Sequence, residues 1–186
     1  MDLVKVLEHY VPYNEQEEKD RQVMLQLLRT TPDIFERKNQ TAHFTASSWL
    51  LNREHDKVLM IYHNIYHSWA WTGGHADGET DLLKVAVREV KEEAGIKNVH
   101  PVSEEIFSLE SLTVDGHIKN GSYVSSHLHF NVTYLLEADS EEQVSIKPDE
   151  NSGVSWFTPE EALKKSTEPW FVEHIYSKLL NKMHSL

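Results

Sequence analysis

The feature that most constrains the fold of this chain is the segment between residues 69 and 96. It begins as a short apolar stretch typical of a strand and passes through the glycine pair Gly73–Gly74. It then takes up helical periodicity over residues 81–94. Thr80 is placed to cap that helix, and Gly95 supplies the left-handed conformation that ends one. The segment therefore predicts a strand, a glycine-containing loop and a helix in direct succession.

The predicted helix has an apolar face and an acidic face. The residues of the apolar stripe are Leu83, Ala86, Val87, Val90 and Ala94. Glu89, Glu92 and Glu93 are spaced i, i+3 and i+4, which places them together on a different side. Three carboxylates this close repel one another. They form either a solvated acidic surface or a site for a hard cation such as Mg²⁺ or Mn²⁺.

The second half of this segment resembles the Nudix box. From Arg88 to Ile96 the chain has Arg-Glu, an aliphatic residue, any residue, Glu-Glu, any residue, Gly and an aliphatic residue, in the order of that signature. Gly74 corresponds to the opening glycine of the box. One position departs: the box expects a glutamate where this chain has Thr80, and Glu79 lies one residue early.

The resemblance implies a role for each matching residue. It implies that Mg²⁺ or Mn²⁺ is bound by Glu89, Glu92 and Glu93 with a backbone carbonyl of Gly73 or Gly74. One of these glutamates, or one on a later loop, activates water, while Arg88 orients the cluster, so the catalytic candidates in the box are Arg88, Glu89 and Glu93. The displaced outer glutamate bears on the loop geometry and on the partner of Arg88, and leaves the three metal-binding glutamates unchanged.

A later loop offers the further glutamate that Nudix enzymes often use. The polar stretch 148–153 precedes Val-Ser-Trp-Phe at 154–157, which is typical of a strand. Glu150 is the candidate catalytic residue there, and Asp149 is the alternate. An ordinary polar turn explains the same residues equally well.

Four histidines, His43, His75, His127 and His129, lie near these elements in the sequence. His75 follows the glycine pair directly, and His127 and His129 share one face of a predicted strand over residues 123–137. His75, His127 and His129 are candidates to donate to the phosphates of a substrate or to hold a second metal. The alternative is that 12 histidines in 186 residues produce neighbours by chance.

The remaining chain divides into two parts. Residues 1–38 predict a pair of helices, with Val23, Met24, Leu27 and Leu28 on one side of the second. Residues 41–186 alternate strands with a few helices, and we expect a Nudix-type α/β/α sandwich over a mixed sheet. Thr158 begins a capped helix, and residues 170–183 predict a closing amphipathic helix. The N-terminal pair is expected to pack against the sheet domain or a second subunit of a homodimer.

Composition excludes several classes of function. The formal net charge of −12 disfavours nucleic acid as a partner, and a phosphate-bearing substrate then needs a bridging cation. No apolar run approaches membrane-spanning length, and no secretory signal is present. The chain has no cysteine, which excludes disulfides and thiolate chemistry. We therefore expect a cytoplasmic protein with no membrane partner.

Together these features predict a metal-dependent pyrophosphohydrolase acting on a small-molecule diphosphate. The expected substrates are nucleoside diphosphate derivatives, namely nucleoside triphosphates, ADP-ribose or nucleotide sugars, and Trp49, Trp69 and Trp71 are available either to stack a base or to fill the core. One alternative is a Nudix-fold binding or regulatory module without turnover. Another is an enzyme like isopentenyl diphosphate isomerase, whose chemistry depends on a cysteine that this chain lacks.

Overall fold

A computed structural model describes residues 2–119 and 121–184 and shows an α/β protein built on a mixed sheet. The helices of this part of the chain are α1 (Leu3–His9), α2 (Glu15–Thr30), α3 (Leu82–Ala94), α4 (Pro159–Lys165), α5 (Pro169–Phe171) and α6 (Ser177–Met183), with a π-helical turn at Val172–Tyr176. The strands are β1 (Ala42–Asn52), β2 (Val58–His63), β3 (Ser68–Ala70), β4 (Thr72–His75), β5 (Val99–Pro101), β6 (Ser108–Val114), β7 (His117–Lys119), β8 (Ser122–Val124), β9 (His127–Ala138) and β10 (Asn151–Phe157).

Strand β1 lies at the centre of the eight-stranded sheet. The strand order is β10-β2-β1-β9-β5, with β3 beside β2, β4 beside β1 and β6 beside β9. β1 and β9 are parallel and in register, so that His43 lies opposite His129 and Thr45 opposite Asn131. β4 pairs antiparallel with β1 and places His75 opposite Thr45. This register brings residues far apart in sequence onto one face of the sheet.

Both faces of the sheet are covered, which is why every residue of β1 is buried despite its alternating sequence. Helix α3 packs on one face through a core that includes Phe44, Val90 and Phe130. The C-terminal helical region packs on the other through Trp49, Ile175 and Leu179. The expected mixed sheet between helical layers is therefore present.

The two N-terminal helices pack against the rest of the chain. Leu7 and Met24 are fully buried and belong to the same core cluster as α3. Glu17 of α2 is also fully buried, and its carboxylate lies 3.3 Å from Nζ of Lys178 and 2.9 Å from Nζ of Lys182. The prediction was wrong for Val23, which is exposed, because Leu25 lies toward the core instead.

Several predicted boundaries also differ. Asp81, not Thr80, caps α3, since its side chain accepts from the amide of Lys84. The strand predicted over residues 123–137 is divided, because β8 turns back on β7 in a separate two-stranded sheet and β9 begins only at His127. The closing helix is interrupted by the π-helical turn after Phe171. The capping box at Thr158 and the left-handed Gly95 are confirmed.

A search of the described residues for a helix both long and apolar enough to span a bilayer found none.

Candidate functional site

The loop from β4 into α3 brings the glycine pair against two glutamates of the helix. The amide of Gly73 donates to Oε2 of Glu93 at 2.9 Å. A Cβ at Gly74 would lie 2.5–2.8 Å from the carboxylate atoms of Glu89, closer than a side chain tolerates. A residue without a side chain at position 74 therefore allows the backbone and the Glu89 carboxylate to approach each other.

The three box glutamates share one side of α3 but differ in environment. Glu89 and Glu93 are buried, with 8% and 3% of their surface exposed, whereas the side chain of Glu92 is 46% exposed. Burial raises the pKa of Glu93 to about 8; the Gly73 amide opposes this rise, and the charges of Glu89 and Glu150 add to it. Burial likewise raises the pKa of Glu89, against the opposing effect of Arg88. Both carboxylates are thus costly to ionise until a cation is near.

Arg88 holds the cluster without an outer glutamate. Its Nη2 donates to Oε1 of Glu89 at 2.7 Å and to the carbonyl of His75 at 3.0 Å. The displaced Glu79 instead accepts from the amides of Thr80 and Asp81 at the start of α3. The departure from the box therefore leaves Arg88 with partners in β4 and α3.

The loop before β10 contacts α3 beside the box glutamates. Asn151 is fully buried and donates to the backbone carbonyl of Glu93 at 2.9 Å, which ties the loop to the end of α3. Nζ of Lys147 lies 3.3 Å from Glu92 and 3.1 Å from Glu150. Glu150 is thus brought beside the box glutamates, while Asp149 is exposed. Sequence reasoning missed Asn151, which lies within the polar stretch 148–153, and Lys147, which lies directly before it.

The four histidines converge, but on the opposite face of the sheet. Ring centroids of His43 lie 5.1, 5.0 and 4.9 Å from those of His75, His127 and His129. Cβ positions at Gly73 and Gly74 point to opposite faces, toward Ser47 and Glu89 respectively. His75 follows Gly73 by two residues, so its side chain shares the Ser47 face and points away from Glu89. The histidines and the glutamates therefore form two separate groups on opposite faces of β4.

The three tryptophans proposed to stack a base or fill the core all pack with the cluster on the side of the C-terminal helices. Trp49 is fully buried and Trp71 nearly so, both in the cluster with the C-terminal helices. Trp69 is partly buried and contacts Phe157 and Tyr62 edge-on. Trp49 and Trp71 are consequently core residues.

Comparison with known proteins gives the family. The model of the NUDIX domain matches residues 41–179, which is most of the chain. The chain belongs to the Nudix family. No curated protein matched this Nudix chain.

Solved structures share the fold of this Nudix protein at low identity. A Caenorhabditis elegans Ap4A hydrolase in a binary complex superposes with a TM-score of 0.54 at 20% identity, covering 76% of this chain and 95% of that one. A MutT protein from Methanosarcina mazei Go1 gives a TM-score of 0.57 at 16% identity, covering 75% and 93%. The Escherichia coli dihydroneopterin triphosphate pyrophosphohydrolase gives 0.54 at 15%, covering 74% and 95%. At these identities the likeness concerns the fold.

Proposed function

We propose that this Nudix protein is a Mg²⁺- or Mn²⁺-dependent pyrophosphohydrolase that cleaves a diphosphate linkage by attack of water at phosphorus. Residues 41–186 would form the catalytic domain and residues 1–38 its extension. The observation that carries the proposal is the pair of buried carboxylates, Glu89 and Glu93, set against the glycine pair and flanked by Glu92 and Glu150. Such a group is unfavourable by itself and becomes favourable around a cation.

The residues present fit a hard divalent ion. Its ligands would be the carboxylates of Glu89, Glu92 and Glu93 with a backbone carbonyl of Gly73 or Gly74, all oxygen donors on rigid elements. When bound, the ion would activate water and neutralise the leaving phosphate. A bridging cation also accounts for how a protein with a net charge of −12 accepts an anionic substrate.

The chain's own residues would divide the remaining work. Arg88 fixes the Glu89 carboxylate through its 2.7 Å hydrogen bond and anchors it to β4 through the His75 carbonyl. Glu93 and Glu150 are the candidates to accept the proton from water, because both are carboxylates at the same cluster. Lys147, which contacts Glu92 and Glu150, limits their repulsion in the absence of metal.

The proposed substrates are nucleoside diphosphate derivatives: nucleoside triphosphates, ADP-ribose or nucleotide sugars. The names of two fold neighbours, an Ap4A hydrolase and a dihydroneopterin triphosphate pyrophosphohydrolase, add a dinucleoside polyphosphate and a pterin triphosphate to the compounds worth testing. The box itself recognises only metal and diphosphate, so the rest of the molecule must be recognised elsewhere.

The test is a screen of the purified full chain over such a panel, with Mg²⁺, with Mn²⁺ and with EDTA. Products are measured by chromatography, which shows which phosphorus–oxygen bond breaks. We expect hydrolysis of at least one diphosphate compound with either metal and none with EDTA. Tight binding of a panel member with no turnover under any metal would instead identify a binding module.

A further inference from the structure

The histidine cluster offers a site that the pyrophosphohydrolase reaction does not use. His43, His75 and His129 each present a ring nitrogen, and these three atoms lie within 4.8 Å of one another. The three residues come from β1, β4 and β9, and strand pairing holds them in place. His43 of β1 lies directly opposite His129 of β9. His75 of β4 lies opposite Thr45, which is two residues after His43 in β1. We propose that these histidines bind one divalent transition-metal ion of the Zn²⁺ class.

The spacing of the nitrogens suits such an ion. With metal–nitrogen bonds of about 2.0–2.1 Å, ligand atoms in a tetrahedral site lie roughly 3.4 Å apart. The observed limit of 4.8 Å requires each ring to move inward by less than about 1 Å, which rotation of the side chains supplies. The site is therefore nearly formed before the ion arrives.

The environment of His43 is an independent observation that points to a ligand. It is 3% exposed, and its Nδ1 lies 3.0 Å from the carbonyl of Asn39, so this nitrogen carries the proton. Nε2 then bears a lone pair, and within the described part of the chain this buried atom has no hydrogen-bond partner. Leaving a buried polar atom unsatisfied costs free energy, and a metal ion at the centre of the cluster would remove that cost.

His127 lies on the remaining side of the cluster. Its Nδ1 is 2.8 Å from the carbonyl of Ser125, which again directs the lone pair of Nε2 inward. That Nε2 lies 3.1 Å from Nε2 of His129. Unlike the Nε2 of His43, this nitrogen already has a hydrogen-bond partner, so His127 becomes a fourth ligand only if that bond to His129 breaks.

The donor set selects the class of ion. Imidazole nitrogens favour Zn²⁺, Co²⁺, Ni²⁺ or Cu²⁺, whereas Mg²⁺ prefers carboxylates and water. The nearby charges of Arg37 and Asp77 pair with each other, so they add no net repulsion toward a cation. The ion would lie on the opposite face of β4 from the glutamates, so the site does not depend on the proposed function.

The experiment uses full-length protein stripped with a chelator and dialysed against excess Mg²⁺, which fills oxygen-donor sites. Titration with Zn²⁺ by calorimetry, and with Co²⁺ by visible absorption, should show one equivalent bound with a Kd of micromolar or below. His129→Gln should weaken binding at least a hundredfold. His100→Gln, at an exposed position outside the cluster, and Glu93→Gln, in the other group, should leave binding unchanged.

X-ray absorption of the Zn²⁺-loaded wild-type protein removes any dependence on how the variants fold. We expect at least three imidazole ligands. An oxygen-only shell, no tight equivalent in the wild type, or loss of binding in Glu93→Gln with retention in His129→Gln would each overturn the proposal.

Discussion

The two faces of the sheet at β4 carry two different sets of side chains that we propose bind metal. On the α3 face, Glu89, Glu92 and Glu93 present oxygen donors that are close in sequence and held by one helix. On the other face, His43 and His129 present nitrogen donors that come from two parallel strands. The first set depends on helical periodicity, and the second depends on which residues the strand register places side by side.

The two groups also differ in the protein contacts that surround them. The repulsion among the glutamates is reduced by Arg88 and Lys147, so a bound cation would replace interactions that already exist. The histidine face continues into a buried polar layer in which Asn131 receives hydrogen bonds from Thr45 and Ser47 and donates to Glu110. That layer ends at Glu17 of α2, which accepts a hydrogen bond from Ser108 and pairs with Lys178.

The largest effect is expected at Glu17, where the N-terminal helices meet the histidine face. Burial would raise its pKa, but Lys178, the Tyr13 amide and the Tyr10 hydroxyl outweigh burial and hold the pKa below its ordinary value. Glu17→Gln should cost about 3 kcal/mol of unfolding free energy, because it leaves the buried ammonium of Lys182 without a carboxylate partner and that of Lys178 with Glu110 alone. Chemical denaturation measures this cost, with exposed Glu15→Gln as the matched control.

The same variant has a predicted pH dependence. Because the pKa of Glu17 is lowered by folding, its stabilisation is present above the ordinary pKa of a glutamate and is lost as pH falls through the folded value. The difference in stability between wild type and Glu17→Gln should therefore shrink on acidification. A difference that stays constant or grows between neutral pH and a pH well below the ordinary glutamate pKa would show that Glu17 is not ionised in the folded state.

On the glutamate face, Glu93→Gln and Glu92→Gln should each lower turnover roughly a hundredfold or more while leaving the fold intact. The reason is loss of a charged ligand at the site of reaction. Steady-state kinetics under saturating Mg²⁺ measure the effect, with exposed Glu104→Gln as control. If both variants hydrolyse the best substrate at nearly the wild-type rate, the active site lies elsewhere.

Substituting Gly73 or Gly74 perturbs one face of β4 at a time. Gly74→Ala should displace the Glu89 carboxylate and reduce kcat roughly tenfold to a hundredfold. Little stability should be lost, because the atoms that the new Cβ meets lie at the end of the Glu89 side chain. Gly73→Ala meets the backbone of Ala46 and Ser47 and should cost about 1–3 kcal/mol of stability. Thermal melting and kinetics on both variants separate these outcomes; equal losses of stability would contradict the assignment of faces.

The smallest effect is expected at Glu150. Glu150→Gln should lower kcat roughly tenfold, and more than it raises KM, because the side chain acts on water or metal and not on substrate binding. Asp149→Asn, at the exposed neighbouring position, is the matched control. Unchanged kinetics in both variants would identify the loop as an ordinary turn.

Local patterns carried most of what the sequence could predict. The spacing of Glu89, Glu92 and Glu93, the stop at Gly95 and the capping box at Thr158 depend on residues within a few positions of one another. The break in the strand before His127 was missed, because alternation continues through residues that pair with a different strand. The approach of Lys147 and Asn151 to α3 depends on loop packing, which no local periodicity records.

The proposed metal site at the box glutamates is tested most directly by anomalous diffraction from crystals grown with Mn²⁺ and a non-hydrolysable analogue of the best substrate. We expect a manganese peak bonded to carboxylates of Glu89, Glu92 or Glu93 and to a carbonyl of Gly73 or Gly74, with a phosphate oxygen of the analogue among its ligands. A manganese peak that bridges the analogue only to His43, His75 and His129, with none at the glutamates, would contradict the proposed site.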